Sequence, residues 1–222
     1  MAQETDIVIR KFKGTDREAV RDITFNTAFM GEPASVFFDD REVISDALSL
    51  YFTDYEPESC FVAEANLKVI GSLIGAKSKI KAEKTFKHQI ALSLLVKAFK
   101  RGTFTKRANR RFIFSCLLSL ISGGLNSPDF TKEYPATLHI NINNGFRGLN
   151  IGTKLVNAYL GYLKSQKVSG VHLATMSDLG AKFFYRQGFS LLYKGKRSYF
   201  RPILHQDVPL YIFGKAIEPD EP

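Results

Sequence analysis

Seven short, mostly apolar segments separated by turn-forming residues are predicted to be β-strands, and residues 138–143 among them alternate between hydrophobic and polar side chains. The predicted strands cover residues 7–12, 60–64, 69–75, 138–143, 171–176, 191–193 and 208–213. The second and third are close enough to form a hairpin around residues 65–68, and the last two suggest a closing antiparallel pair. Within 138–143, His139, Asn141 and Asn143 share one face, opposite Ile140 and Ile142.

Apolar residues recur at helical spacing between these strands. Helices are predicted at about residues 15–28, 40–51, 86–98, 106–122 and 151–166. Strands and helices therefore interleave, which indicates an α/β chain. With 222 residues, 45% of them hydrophobic, the sequence supports one domain over residues 1–222 and is too short for two large ones.

The positive charge of the chain is concentrated in one stretch. The formal net charge is +9, and residues 77–111 hold twelve Lys or Arg against one acid, Glu83. We interpret residues 77–134 as a basic helical insertion. It could be a solvated helical pair covering the sheet edge, a surface that docks on anionic membrane through residues 77–122, or a lid over a pocket for an acidic or lipid-like substrate. Nucleic acid is the weaker interpretation, because little aromatic interleaving accompanies the charge.

The sequence also indicates where the protein resides and whether it binds a metal. The first residues are polar and acidic, unlike a signal peptide, and the longest apolar run, 112–121, is too short to cross a bilayer as a helix. Cys60 and Cys116 form no metal spacing and no disulfide framework. We therefore expect a cytoplasmic protein without a metal, peripheral at the membrane if the basic segment docks there.

The segment Phe146-Arg147-Gly148-Leu149-Asn150-Ile151-Gly152-Thr153-Lys154-Leu155 connects a predicted strand to a predicted helix. Such a turn gathers unpaired main-chain N–H groups at the positive end of the helix dipole, where phosphate binds well. Arg147 adds a cation beside it. Neither Gly-x-Gly-x-x-Gly nor Gly-x4-Gly-Lys-Ser/Thr is present in the segment, so the common dinucleotide and P-loop motifs are excluded.

The segment resembles the acyl-CoA loop of the GNAT family of N-acetyltransferases, Gln/Arg-x-x-Gly-x-Gly/Ala. Arg147 occupies its first position and Gly152 its last, while Asn150 stands at the middle glycine. Asn tolerates left-handed backbone better than most residues, although less freely than Gly. Downstream, residues 183–189 resemble the second signature of the family, Phe-Tyr-x-x-x-Gly-Phe. The resemblance extends over about residues 60–76 and 136–193.

The resemblance implies the acyl-CoA N-acyltransferase fold, a mixed and mostly antiparallel sheet flanked by helices, here with a helical insertion. It implies an enzyme that moves an acetyl group from acetyl-CoA to an amine of a small molecule or protein by direct attack. Two alternatives stay open at this point. One is a non-catalytic acyl-CoA-binding or membrane-docking protein, and the other is transfer to a hydroxyl or of a longer acyl chain.

The resemblance also assigns residues to acetyl-CoA. The central strand of the family parts from its neighbour and pairs with pantetheine, which assigns that contact to Ile140, Asn141 and Ile142. The pyrophosphate would be held by the amides of Arg147, Gly148, Leu149, Asn150, Ile151, Gly152 and Thr153. The second signature adds Ser177, Ala181 and Phe184 to the expected cofactor site.

Catalytic candidates are a tyrosine and a histidine. Many family members protonate the departing thiolate with a Tyr, whose usual place here is Phe184, so Tyr185 serves only if the helix ends one residue earlier. Otherwise the proton comes from water. His139 has a pKa suited to a general base at neutral pH, although a structural histidine is the commoner outcome. His172 is a weaker candidate.

Overall fold

The computed structural model describes residues 6–218, which form a seven-stranded sheet flanked by helices. The strands are β1 (Ile7–Lys11), β2 (Phe61–Ala65), β3 (Lys68–Ala76), β4 (Ala136–Ile142), β5 (Gly170–Thr175), β6 (Ser190–Arg197) and β7 (Val208–Ala216). Their order across the sheet is β1-β2-β3-β4-β5-β7-β6. Only β4 and β5 pair in parallel, so the predicted mixed and mostly antiparallel sheet is confirmed.

Helices cover both faces of the sheet. They are α1 (Arg17–Thr27), α2 (Arg41–Leu50), α3 (Lys79–Thr85), α4 (Ala91–Lys100), α5 (Arg107–Ile121), α6 (Ile151–Ser165), α7 (Asp178–Arg186) and α8 (Arg201–Leu204). A π-helical turn, Phe86–Ile90, joins α3 to α4. The predicted helix at residues 86–98 is thus interrupted at its start by this wider turn.

Successive side chains of the strands point to opposite faces of the sheet, and each face has its own hydrophobic core. On one face, Leu155 and Val156 of α6 are buried against Leu73 and Leu138 of the sheet. On the other face, Val20 of α1 packs with Val62 and Ile74. This alternation is the ordinary consequence of strand geometry. It places the two faces of β4 in different surroundings, the apolar one under α6 and the polar one under α1.

The parallel pair β4–β5 separates soon after it starts. Within the described residues the two strands pair only at Ala136–Val171 and Thr137–His172. On its other side, β4 pairs with β3 from Thr137 to Ile142. The sheet is therefore split beyond Thr137, and one edge of β4 is free in the middle of the fold.

Within residues 77–134, α4 and the turn after it pack against α2 and its start. Lys97 of α4 contacts Asp46 of α2 at 2.6 Å, and Arg101 and Thr103 both contact the Asp40 carboxylate. Burial opposes ionisation of Asp40, but these two hydrogen bonds outweigh it and lower the pKa of that carboxyl. Part of the basic charge of the segment is thus paired with acids of the α2 region. No helix within residues 6–218 is long and apolar enough to cross a bilayer.

Candidate active site

A cavity of about 290 Å³ opens where β4 and β5 part. Its walls come from seven segments: Thr24, Thr27 and Ala28 at the end of α1, Ala47 and Leu48 of α2, Phe52 after α2, strand residues of β3, β4 and β5, and Phe184 of α7. The cavity connects the α1–α2 face of the sheet with the free edge of β4. A molecule in the split can therefore meet a second molecule held under α1 and α2.

His139 projects from β4 into this cavity and remains accessible through it. Its ring lies edge-on to Phe52, with the ring centroids 5.5 Å apart. Desolvation of the imidazole by the surrounding protein lowers the pKa of His139 below the ordinary value of 6.5. The positive charge of Lys79 lowers it further. The imidazole is therefore neutral at pH 7, which is the form that accepts a proton.

Asn141 lies on the same face of β4, as the sequence pattern predicts. Its side chain meets the Thr27 hydroxyl, with Asn141 Oδ1 2.9 Å from Thr27 Oγ1. The Asn141 main chain takes no part in the cavity. Asn143 N–H donates to Ile70 O of β3, so alternate residues, Asn141 among them, direct their amides toward β3.

That alternation corrects one predicted cofactor contact. Ile140 and Ile142 direct their main-chain groups to the free edge, where an extended chain can pair with Ile140 and with the Ile142 N–H, while Ile142 O accepts from Arg147 Nε. Asn141 cannot do so, because its N–H and C=O are already used in the pairing with β3. The prediction of a main-chain contact from Asn141 does not fit this geometry, whereas those from Ile140 and Ile142 do.

The turn before α6 has the backbone that a phosphate loop needs. Gly148 has φ +85° and Asn150 has φ +59°, and α6 begins directly afterwards at Ile151. Asn150 therefore takes the left-handed conformation expected of the middle glycine. Because the first residues of a helix have no acceptor within it, the amides of Ile151, Gly152 and Thr153 are available to an anion. Leu149 of the same turn is exposed.

Gly152 brings the two family signatures together. A Cβ at this position would lie 3.0 Å from the ring of Phe183 and 3.5 Å from Ile142 Cδ1. The side chain of Phe183, from α7, thus packs directly on the first turn of α6. This close approach favours a small residue at position 152.

Arg147 has a role that the sequence does not reveal. Its guanidinium donates from Nε to Ile142 O at 3.2 Å and from Nη2 to Gly31 O at 2.9 Å. It therefore ties the free edge of β4 to the turn after α1. The side chain keeps a positive charge at the mouth of the split while it stabilises that turn.

The second signature presents Phe184 and not Tyr185 to the cavity. Phe184 lines it and packs against Phe189 and Phe213, with ring centroids 5.5 and 6.3 Å away. Tyr185 is 73% exposed and is not among the residues that line the cavity. A step of one residue turns a helical side chain by about 100°. The helix continues to Arg186, so the shorter helix on which a catalytic Tyr185 depends does not form.

The remaining predicted residues lie around this site. Ser177 begins α7, and its hydroxyl accepts from Gly180 N–H at 3.3 Å. Ala181 packs against the core beneath α6. His172 is buried and contacts Tyr134 O through Nδ1, outside the cavity lining, which fits a structural histidine.

Both cysteines are free thiols in apolar surroundings. Burial raises the pKa of Cys60 to about 12 and that of Cys116 to about 11. Neither is a thiolate at neutral pH, so neither is suited to act as a nucleophile. Among the described residues, no group of three or more His, Cys, Asp or Glu side chains could hold a metal ion.

Sequence reasoning missed the acceptor side of the cavity. Thr24 and Thr27 of α1, Leu48 of α2, Phe52 and Thr175 all line it. One signal was available, since Thr24 and Thr27 stand three residues apart on a helix and so share a face. Nothing in the local sequence indicates which polar face of a helix lies over a strand.

Comparison with known proteins identifies the class. Residues 31–189 match the model of the acetyltransferase (GNAT) family. The chain therefore belongs to this family and is an N-acetyltransferase that uses acetyl-CoA. The resemblance in the two signatures is thus confirmed. Among curated proteins none matches the sequence.

Solved structures agree on the fold. The crystal structure of SsHAT is similar, with a TM-score of 0.69, 21% identity and coverage of 96% of this chain and 99% of that one. A Drosophila melanogaster polyamine N-acetyltransferase that forms N-acetylagmatine has a TM-score of 0.63 at 16% identity, covering 95% and 100%. yncA from Salmonella typhimurium, a putative acetyltransferase with its cofactor acetyl-CoA, has a TM-score of 0.57 at 12% identity, covering 96% and 94%.

Proposed function

We propose that the cavity between β4 and β5 is the acetyl-transfer site, with His139 as general base. Ile140 and Ile142 would hold pantetheine at the free edge of β4, and the turn from Arg147 to Thr153 would hold the pyrophosphate. Acetyl-CoA supplies an activated thioester carbonyl to this site. The observation that carries the proposal is that His139 and the strand split share one opening, and that Arg147, in the turn that leads into α6, contacts Ile142 O on the same strand.

The chain's own groups account for the movement of protons. The acceptor nitrogen bonds to the acetyl carbon as the C–S bond breaks, and its surplus proton passes to the His139 imidazole. The sulfur leaves as a thiolate and takes its proton from water. Phe184 stands where a donor would act, and its side chain has no acidic proton. His139 returns its proton to solvent through the open cavity.

Release of free thiol from acetyl-CoA in the presence of amines tests this assignment. His139→Gln should lower kcat by about 100-fold, the scale of a lost general base. His88→Gln is the matched control, since His88 is exposed in the π-helical turn and far along the chain from the cavity. Equal activity of the two variants would remove His139 from the mechanism. Acetyl-CoA binding without turnover of any amine would favour the non-catalytic alternative.

We also infer a peripheral membrane role for α5, carried by the inverted burial of this helix. Its buried residues, Asn109, Ser115 and Ser119, are polar, and Ser119 Oγ lies 3.4 Å from Ser198 Oγ, while Phe112 and Ile113 pack partly against the neighbouring core. Its outward residues include large hydrophobic side chains, namely Phe114, Leu117, Leu118, Leu120 and Ile121. Such a group of exposed apolar side chains on one helix is typical of an interaction site.

The charge of α5 favours an anionic lipid surface as the partner. Arg107, Arg110 and Arg111 cluster at its start, and the first turn contains no acid, while the preceding Lys106 pairs with Asp39 at 2.7 Å. Cations are unfavourable at the positive end of a helix dipole, so an external anion would relieve their repulsion. Exposed hydrophobic residues beside Lys and Arg are the composition of an interfacial helix.

Flotation with phosphatidylcholine vesicles, with and without phosphatidylserine, tests the membrane role. Binding should require phosphatidylserine, weaken as salt rises and fall in Leu117→Gln. Leu67→Gln is the control, because Leu67 is 92% exposed in the β2–β3 turn, outside α5. Absence of binding to anionic vesicles would contradict the role. Self-association that Leu117→Gln abolishes would instead identify the patch as a dimer interface.

A further inference from the structure

The acceptor side of the cavity carries no ionised side chain. The described residues that line it are apolar or are Thr, Asn and His, and they include neither carboxylates nor Lys or Arg. His139 is itself neutral at pH 7, because the surrounding protein lowers its pKa. A cationic group entering this space would lose its hydration and gain no counter-charge, which is strongly unfavourable.

The hydroxyl of Thr27 determines how the Asn141 amide is oriented. Thr27 Oγ1 lies 2.7 Å from Ile23 O and 2.9 Å from Asn141 Oδ1, but a hydroxyl has one proton to donate. Ile23 O can only accept, so the proton goes there. The amide group of Asn141 can be turned to donate from Nδ2 to Thr27, since its O and N are interchangeable in shape. Asn141 Oδ1 then faces the cavity as a free acceptor.

Thr24 supplies a second polar group. It is 3% exposed, it lines the cavity, and its Oγ1 has no hydrogen-bond partner among the described residues. A buried hydroxyl left unpaired is costly, which indicates that a bound molecule satisfies it. Thr24 and Thr27 are separated by less than one turn of α1, so their polar groups lie on the same side of the cavity.

We propose that the acceptor is a primary monoamine on a compact apolar body, which enters the cavity as the neutral free base and is received by Asn141 Oδ1 and Thr24 Oγ1 and not by a carboxylate. The apolar body would lie against Ala47, Leu48 and Phe52. The inference rests on the proposed function of this cavity. It separates this chain from acceptors such as polyamines, which carry further ammonium groups that need an acidic partner.

The test compares butylamine with 1,4-diaminobutane, which share a four-carbon chain and differ by one ammonium group. Thiol release from acetyl-CoA should give a kcat/KM for butylamine at least about tenfold above that for the diamine, since butylamine enters after losing one proton whereas the diamine must lose two or bury an ammonium group. Leu48→Glu, which places a carboxylate at the cavity wall, should shift the ratio toward the diamine. Thr24→Val should lower kcat/KM for butylamine by about 3- to 10-fold, the value of one hydrogen bond.

Controls keep the inference separate from the function on which it rests. Thr15→Val, at an exposed position outside the cavity lining, should leave kcat/KM unchanged. Calorimetric titration with acetyl-CoA should give the same affinity in the Thr24 and Leu48 variants as in the parent chain. Failure of the parent chain to bind acetyl-CoA would overturn the proposed function itself. Normal binding with equal use of both amines, preference for the diamine or use of neither would overturn the acceptor class alone.

Discussion

Phe184 and Tyr185 are neighbours on α7 that face opposite surroundings. Phe184 is buried against Phe189 and Phe213 and borders the cavity, whereas Tyr185 is 73% exposed. The position facing the reaction therefore holds a ring without a proton to give. In the proposed mechanism, the departing thiolate therefore takes its proton from solvent and not from a tyrosine.

Tyr185→Phe should therefore change kcat and KM by less than about twofold, because removing an exposed hydroxyl has little effect on packing or chemistry. Steady-state thiol release with butylamine measures it. By contrast, Phe184→Ala should destabilise the fold by about 3–5 kcal/mol, as for a large buried aromatic. Loss of most activity in Tyr185→Phe, with an unchanged melting temperature, would restore Tyr185 as the acid.

As the proposed general base, His139 predicts a defined dependence of the rate on pH. The pKa of its imidazole lies below 6.5, so the neutral base predominates at pH 7 and is lost as the pH falls through that lower value. The rate at saturating acceptor should therefore fall on acidification, with a midpoint below pH 6.5. The measurement is a pH–rate profile of kcat.

The variants identify the group that titrates. His139→Gln should show no acidic limb attributable to an imidazole, whereas His88→Gln should retain the profile of the parent chain. An acidic limb that persists unchanged in His139→Gln would assign the titration to another group.

Asn150 should tolerate glycine but not a branched residue. Its φ of +59° is left-handed, which costs an ordinary side chain about 1–2 kcal/mol and a glycine almost nothing. Asn150→Gly should therefore keep the affinity for acetyl-CoA, and Asn150→Val should weaken both affinity and stability. Calorimetry and urea unfolding measure the two effects. Equal affinity in both variants would show that this backbone conformation does not serve binding.

Gly152 should be equally intolerant of larger residues, for a different reason. A Cβ there lies 3.0 Å from the Phe183 ring, so Gly152→Val would push α7 away from the first turn of α6. We expect weaker acetyl-CoA binding and a lower melting temperature. Gly161→Val on the same helix is the control, since a Cβ at Gly161 meets nothing within 4 Å. Comparable losses in the two variants would point to helix propensity and not to this contact.

Some of the site could be predicted because it depends on local geometry. The alternation in β4 correctly puts His139 and Asn141 on one face, and the left-handed backbone of Asn150 agrees with its alignment to the middle glycine of the family motif. The choice between Phe184 and Tyr185 could not be made in advance. It depends on the rotational phase of α7, which is set by packing against Phe189 and Phe213.

Long-range arrangement accounts for what the sequence did not reveal. The helical pattern of α5 is visible, but its burial of Ser115 and Ser119 is fixed by neighbours distant in sequence, such as Ser198. Residues 77–134 were considered as a lid, yet none of the described residues in that range lines the cavity. Within this range, α4 packs against α2, and α5 packs against α8. The pairing of Arg147 with Gly31 likewise joins segments more than a hundred residues apart.

The account as a whole depends on main-chain hydrogens of the turn from Arg147 to Thr153 binding a diphosphate. Calorimetry on the intact protein with acetyl-CoA and with S-acetylpantetheine, which lacks the diphosphate, tests this most directly. Several charge-assisted hydrogen bonds should make acetyl-CoA the tighter ligand by about 100-fold or more. Equal affinities, or no heat from acetyl-CoA, would contradict the assignment of this turn.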